Sequence, residues 1–498
     1  MTLSWQEFQP IAAIATTPTA YKLLKPFATS SRATIWIPES CREAISNPTV
    51  TTQFYQGSLK QHLSILWKSS RAIVFCLASG AVVRLIAPLL EDKSRDPAVV
   101  VIDEAGKFAI ALCSGHRGGA DKLTQAIALQ LNATPVITGA SSSLGLPAVD
   151  ILGIPFGWRR GSGDWTGVSA AVAKSEPVEV FQEVGSTLWQ QHLPPGHPFC
   201  FGFDRDPNII PKGRIWIDFT QRSFSPESEI PKVQWHPRVL WVGVGCERGT
   251  SKDAIATAIE TVFKKNHLAE EAIAGIATID LKADEAGLLE YCSDRDLPLR
   301  TFSAEELRSV EVPTPSDIVA AAVGTPSVAE AAAISISSSP LSKGGGGGIS
   351  NLLVTKQIQR SQTGAVTVAV ALTETERTGR TGQLLLIGIG PGTLEQMTPA
   401  AQTAVNQADT IIGYTLYIDL IAPLLRPGQI VEAMPITKER QRAERAIALA
   451  KWGLTVAVVS SGDCGIYGMA GLVLEMLRET NWDGKVPAVE VFPGISAV

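Results

Sequence analysis

Short apolar runs, each followed by a glycine-rich or polar turn and then by helical spacing, recur along this 498-residue chain. Over residues 11–140 the runs fall at Ile11–Ala15, Thr34–Ile37, Ala72–Leu77, Ala98–Ile102, Phe108–Leu112 and Pro135–Ile137. Their alternation with helix-like stretches predicts an α/β domain with a largely parallel sheet. A later unit opens with the run Val239–Val244 and the glycine loop Gly243–Ser251. It continues with helical spacing over Lys252–Lys264 and a strand at Ile273–Ile279. Residues 384–389, 455–460 and 488–492 are β-like runs. They lead into Gly388-Ile389-Gly390-Pro391-Gly392, Ser460-Ser461-Gly462-Asp463-Cys464-Gly465-Ile466-Tyr467-Gly468 and Pro493-Gly494-Ile495-Ser496-Ala497. Three such turns should gather along the carboxyl edge of one parallel sheet, where open α/β sheets bind ligands. With Val498 as the last residue, the expectation is a binding edge without the half that closes over it.

Polar stretches set the expected joints, and the length leads us to expect three or four domains. A Ser- and Gly-rich turn, Gly139 to Gly145, precedes a less patterned region. Residues 335–364 hold Ser337-Ser338-Ser339 and five glycines at 344–348, a composition that does not form a packed element. We read that stretch as an insertion, because the strand run Ala365–Leu372 otherwise lacks a sheet. The expected partition is an N-terminal α/β domain over 1–140, a central domain over 141–222 and a linker over 223–238. An α/β domain over 239–372, carrying the insertion 335–364, follows. A short polar tether over 373–383 and a final unit over 384–498 complete it. The expected fold class is α/β, with several consecutive domains, largely parallel sheets, and the last domain incomplete.

Composition narrows the function classes. Hydrophobic residues make up 45% and charged residues 18%, and no window holds the roughly 18 apolar residues of a membrane span. The first 20 residues lack the basic start of a signal peptide. Seven cysteines form no CxxC pair, which argues against a zinc site or a disulfide frame. A cytoplasmic enzyme with no membrane and no protein-held metal is expected. A net charge of −5 disfavours nucleic acid as a partner. Basic residues still cluster at Arg84, Lys93, Arg95, Arg117 and Lys122, and at Arg159 and Arg160. Such clusters suit a multiply carboxylated small molecule, although each residue alone reads equally as solvated surface.

The Gly390-Pro391-Gly392 turn is not a dinucleotide fingerprint. Thr393 stands where a glycine is required, and Pro391 removes a backbone donor. It does give a rigid turn that a flat ligand can approach. Asp463 offers a carboxylate among amides, and either loop alone reads as a tight structural turn. Taken together, residues 384–498 resemble the front half of the tetrapyrrole methylases. Gly413-Tyr414, Tyr417, Glu439-Arg440 and Ser461–Ala470 resemble the precorrin-3B C(17)-methyltransferase family. The resemblance implies S-adenosylmethionine as cofactor, with contacts at Pro391, Ser461, Gly462, Asp463, Ile466, Ser496 and Ala497. Family members hold it in a cleft between two similar halves, so a separate chain completing the methylase is expected. The family has proline where Cys464 stands, a change expected to loosen the loop.

The front of the chain, about 11–371, carries a second resemblance. Gly80–Leu90, Asp92-Lys93, Asp96–Val100, Cys113–Asp121, Gly243–Ser251, Asp280–Glu285 and Gly324–Ala333 resemble the cobalt-precorrin-5A hydrolase family. Its members open a lactone on the contracting corrin ring and expel a carbon fragment as acetaldehyde. The family usually has Asn where Asp121 stands. The residues agree in kind: His116, just past a strand at the sheet's carboxyl edge, is placed to act as the water-activating base, with amides or Arg117 as oxyanion donors. A histidine bonding loop carbonyls is an equal reading. Ser114 is a weaker candidate nucleophile, since no GxSxG elbow surrounds it. Lys282 and Glu285 are catalytic candidates or a salt bridge. Glu330 is a catalytic candidate or, with Ser327, half of a capping box. The substrate is expected to be a tetrapyrrole that carries cobalt in with it, and a homo-oligomer is expected. Two rivals stand beside this reading: a non-catalytic corrinoid-binding scaffold, and an NAD(P) enzyme using the Gly243–Ser251 loop.

Overall fold

The computed structural model describes residues 3–45, 48–92, 95–139, 144–202, 210–224, 230–337, 351–361 and 364–496. Lys93, most of the Gly139–Gly145 turn, the glycines 344–348 and Ala497 lie outside them. Two compact units are formed, one by Met1–Leu152, Trp189–Pro195 and Thr381–Val498, the other by Gly153–Leu188 and Gly196–Arg380.

The first unit holds two sheets. The N-terminal sheet contains β1 (Ile11–Ala15), β2 (Thr34–Pro38), β3 (Thr52–Tyr55), β4 (Ala72–Cys76), β5 (Ala98–Ile102), β6 (Phe108–Cys113) and β7 (Thr134–Val136), in the order β3-β2-β1-β4-β5-β6-β7. Strands β1, β4 and β5 are buried along their whole length, as a sheet covered by helices on both faces requires. Strand β3 was not foreseen, because Thr-Gln-Phe-Tyr is too polar to register as an apolar run. Strand β6 runs antiparallel to β5, pairing Val99 with Cys113 and Ile102 with Ala109. Its end therefore lies at the amino end of β1–β5. This corrects the expected position of His116 at the carboxyl edge.

The second unit also holds two sheets. β8 (Arg159–Gly163), β9 (Val178–Gln182), β10 (Phe199–Phe201), β11 (Gly213–Ile217) and β12 (Lys232–His236) lie in the order β10-β9-β11-β12-β8. β13 (Leu240–Cys246), β14 (Ile273–Ile279), β15 (Leu299–Phe302), β16 (Leu352–Ser361) and β17 (Gly364–Leu372) lie in the order β15-β14-β13-β17-β16. Three stretches differ from expectation. Residues 232–236, read as linker, form β12, with Val233, Gln234, Trp235 and His236 at most 1% exposed. The flanking Pro231 and Pro237 masked that signal. Within 335–364, the helix Val328–Ser337 and strand β16 are packed elements, β16 pairing antiparallel with β17. Part of the polar tether is buried as well, at Thr373, Glu376, Thr378 and Gly382. Glu376, 4% exposed, accepts hydrogen bonds from Trp158 Nε1 at 3.1 Å and the Ser186 amide at 2.8 Å. The Arg238 guanidinium donates to the carbonyls of Gly157 and Thr378. Arg380 donates to Pro155 O at 2.9 Å. Polar residues such as Glu376 need not be solvated when a fold supplies buried partners.

The last sheet, in the first unit, contains β18 (Gln383–Gly388), β19 (Thr410–Tyr414), β20 (Ile430–Met434), β21 (Thr455–Ser460) and β22 (Ala488–Phe492). All pairs are parallel in the order β20-β19-β21-β18-β22, so the loops after β18, β21 and β22 leave neighbouring strands at one edge.

Candidate active site and cofactor loops

From Cys113 the chain turns sharply into the helix Ala120–Leu131. Ser114 adopts φ 58° and Gly119 φ 84°. The first is uncommon for a residue with a Cβ and marks a constrained loop. Room is short throughout: a Cβ on Gly118 would lie 2.4 Å from Ser114 Cβ, and one on Gly115 2.7 Å from Asp121 Oδ1. The amides of Gly119, Ala120 and Asp121 bond back to the carbonyls of His116, Ser114 and Gly115, each at 3.1 Å.

This turn holds His116 between two carboxylates. Nδ1 lies 3.4 Å from Asp150 Oδ1 and Nε2 lies 3.7 Å from Asp121 Oδ2, with the imidazole still 30% exposed. Both distances exceed a direct hydrogen bond and are charge contacts. Ser114 Oγ donates instead to Asp96 O at 3.2 Å, so serine and histidine share the loop without forming a nucleophile–base pair. Asp150 escaped the sequence reading. It lies in a Pro-Ala-Val-Asp turn with no periodicity, and only the fold brings it to His116.

Burial, foremost, pushes the Asp121 carboxyl above its ordinary range, opposed by His116 and reinforced by the Asp150 charge. A carboxyl raised on folding contributes stability that is whole below its unfolded value near 3.9 and is lost as pH rises through the folded value. Ionised Asp121 is therefore a cost at neutral pH. Asp121→Asn is expected to raise stability at pH 7, with the gain shrinking as pH falls toward 4. Urea melts across that range check this, and a gain that grows on acidification would contradict it.

Lys282 and Glu285 sit after β14, beside the glycine loop after β13. Their side chains pair at 3.2 Å, and Glu285, 3% exposed, also accepts from the Gly249 amide at 2.9 Å. Arg248 donates to Asp284 Oδ1 and Leu281 O, both at 2.6 Å. A carboxylate thus occupies the amide that a pyrophosphate would need. Gly243 is spoken for too, since a Cβ there would lie 1.8 Å from Ala329 O in the helix packed on β13. That disposes of the nicotinamide cradle. Glu330 is fully buried and accepts from Thr314 N, Thr314 Oγ1 and Lys356 N at 3.2, 2.8 and 3.0 Å. The expected capping box is absent: Ser327 Oγ is buried without a hydrogen-bond partner. No bond joins Glu330 to the Lys282–Glu285 pair.

The three turns of the last sheet are knitted together. Gly390 and Gly462 exchange backbone hydrogen bonds at 3.1 and 2.9 Å. Asp463 accepts from Gly465 N at 2.8 Å and Gly494 N at 3.1 Å, spanning the second and third turns. Ser460 Oγ accepts from Met469 N at 3.0 Å, at the start of the helix Met469–Glu479. Pro391 and Ile466 are exposed, while Ser461 and Ser496 are half-buried. Cys464 does not loosen its loop. The thiol is fully buried and lies 3.3 Å from Leu386 O and 3.6 Å from Phe492 O, fastening the turn beneath β18 and β22.

Four family patterns match consecutive stretches: Cobalamin synthesis G N-terminal over residues 61–142, Cobalamin biosynthesis central region over 147–237, Cobalamin synthesis G C-terminus over 240–371, and Tetrapyrrole (Corrin/Porphyrin) Methylases over 383–498. Cobalt-precorrin-5A hydrolase of Priestia megaterium is 36% identical over 330 residues, covering 64% of this chain and 83% of the relative. The Salmonella typhimurium protein of that name is 32% identical, covering 65% and 91%. Cobalt-factor III methyltransferase of Priestia megaterium is 49% identical over 118 residues, but these cover only 24% of this chain and 22% of the relative. The chain belongs to the cobalt-precorrin-5A hydrolase family of cobalamin biosynthesis, with a tetrapyrrole methylase segment fused behind the hydrolase.

Proposed function

We propose that this chain hydrolyses the lactone of cobalt-precorrin-5A with release of acetaldehyde, and that His116 is the base. The observation that carries this is the imidazole set between Asp150 and Asp121. The Asp150 carboxylate, 3.4 Å from Nδ1, favours a proton on that nitrogen and leaves Nε2 to take another. The imidazole is 30% exposed, so a water can reach it. That water loses its proton to Nε2 as its oxygen bonds to the lactone carbonyl carbon. The ester C–O bond then breaks; the freed alkoxide collapses to the aldehyde carbonyl as its carbon–carbon bond to the ring breaks, and the electron pair left on the ring takes the proton back from Nε2. Arg117 and the loop amides are the donors for the transient oxyanion. Ser114, Lys282, Glu285 and Glu330 take no part in these steps.

The methylase segment supplies one wall of a methyl-donor site. S-adenosylmethionine, when bound, brings the electrophilic methyl group. The fit rests on this edge: Gly392 has open space where a Cβ would stand, and Ile466, Tyr467 and Ile495 expose their side chains. Pro391, Ser461, Gly462, Asp463, Ile466, Ser496 and Ala497 are the proposed contacts. The acceptor is ring carbon 17 of a tetrapyrrole that carries its own cobalt. No single helix among the described residues is long and apolar enough to cross a membrane, and we place the protein in the cytoplasm.

The test is direct. The intact chain, given cobalt-precorrin-5A, is expected to release one acetaldehyde per substrate, read by coupled reduction with alcohol dehydrogenase. Binding of the substrate with no acetaldehyde would replace the enzyme by a corrinoid carrier.

A further inference from the structure

Met1–Leu152 and Thr381–Val498 share one compact unit, although most of the second unit lies between them in sequence. The last sheet is thereby brought against both elements that carry the aspartates of His116. Asp121 stands in the first turn of the helix Ala120–Leu131, and Asp150 in the irregular stretch Leu146–Leu152.

The helix Pro399–Gln407 packs along the helix Ala120–Leu131. Asn406, 5% exposed, makes the polar part of this contact. Its Nδ2 donates to Gln125 Oε1 at 3.2 Å and to Leu424 O at 3.3 Å. A carbonyl only accepts, so Leu424 fixes which end of the Asn406 amide faces Gln125. Arg426 fastens the same corner, donating to Asn406 O and, at 3.1 Å, to Ala408 O. Gln125 is one helical turn beyond Asp121 on the same face. A displacement of the helix at Gln125 is therefore carried to Asp121.

The Asp150 stretch is held at a second point. Pro147 is buried, and a Cβ on Gly428 would lie 3.2 Å from Pro147 Cβ. A third link runs through the short helix Leu3–Phe8, which touches the helix Pro399–Gln407. Phe8 Cε1 lies 2.9 Å from the Cβ position of Gly119, and Glu7 pairs with Lys122 at 2.6 Å. Asn406 precedes β19 and Gly428 precedes β20, so both stand at the amino edge of the last sheet, opposite the cofactor turns. Their contacts serve the His116 loop, not the methyl donor.

We infer that Asn406 and Gln125 are positioning residues for the hydrolase: their bond sets where Asp121, and with it the His116 loop, stands. The methylase segment is then a support of the hydrolytic site. The effect on catalysis rests on the proposed function; the positional link does not.

In the intact chain, Asn406→Ala and Gln125→Ala should each cut kcat for acetaldehyde release about threefold to tenfold, with KM near wild type and the pH–rate profile displaced. Both break one bond, so the double variant should lose no more than the larger single loss. Asn406→Ala also removes a buried Oδ1 that has no hydrogen-bond partner, so the urea midpoint should hold. A second readout needs no substrate: the His116 ring-proton NMR signal, identified by its absence in His116→Gln. Its titration midpoint should move to lower pH in all three variants, because an aspartate that draws away favours the imidazolium less. Thr403→Ala, whose hydroxyl bonds Pro399 O in its own helix, should leave it in place. An unmoved midpoint in the double variant, losses that multiply, or an equal shift in Thr403→Ala overturns the inference. If wild type releases no acetaldehyde, the hydrolase reading falls, while the His116 titration still decides the link.

Discussion

Replacing His116 with alanine is expected to lower the rate of acetaldehyde release by a factor of about 10²–10⁴, the range ascribed to a positioned general base. The change should be clean. The imidazole is 30% exposed, so its loss opens no core cavity. Circular dichroism and the urea midpoint should stay near wild type. Asp150→Asn is the informative companion. An amide on Nδ1 holds the ring but no longer favours the required tautomer or the imidazolium, so an intermediate loss and a shifted pH–rate profile are expected. Ser114→Ala should leave release largely intact, because Oγ points at the Asp96 carbonyl. Undiminished release in His116→Ala would remove the histidine from the reaction.

Gly494→Ala is expected to weaken S-adenosylmethionine binding at least a hundredfold. A Cβ at that position would lie 2.2 Å from Gly462 O and 2.8 Å from the backbone of Gly388. These are main-chain atoms of two neighbouring turns, and neither can swing aside as a side chain does. Relief requires the third turn to lift from the other two, breaking the Asp463–Gly494 bond. Gly471→Ala is the control. It lies in the helix Met469–Glu479, nothing stands within 4 Å of its Cβ position, and alanine suits a helix better by about 1 kcal/mol. Calorimetric titration of both variants decides the matter: equal, wild-type affinity would mean that the knot of turns is not the methyl-donor site.

The apolar runs made most strands legible, because a buried parallel strand needs a continuous stretch such as Ala98–Ile102 and little else competes for that pattern. The glycine turns after β18 and β21 were legible for the same reason. What could not be read was direction and company. Nothing in Phe108–Cys113 says that this strand runs against its neighbours, yet that reversal moves His116 to the other end of the sheet. Asp150 is 34 residues from His116 in sequence, and only tertiary packing makes them partners. Glu330 misled in the opposite sense. Its spacing from Ser327 mimics a capping box, whereas the carboxylate serves Thr314 and Lys356 from other elements. Strand β12 was hidden by its flanking prolines and charged surroundings.

The strap that runs from Thr373 to Arg380 is not a length of free string. Glu376 and Thr378 are internal parts of the second unit, so this stretch follows a fixed path within it. Adding or deleting a residue there would leave Trp158, Ser186 and Arg238 facing the wrong atoms. A shortened chain that is to keep the second unit whole should therefore run through Arg380 and not stop at Leu372.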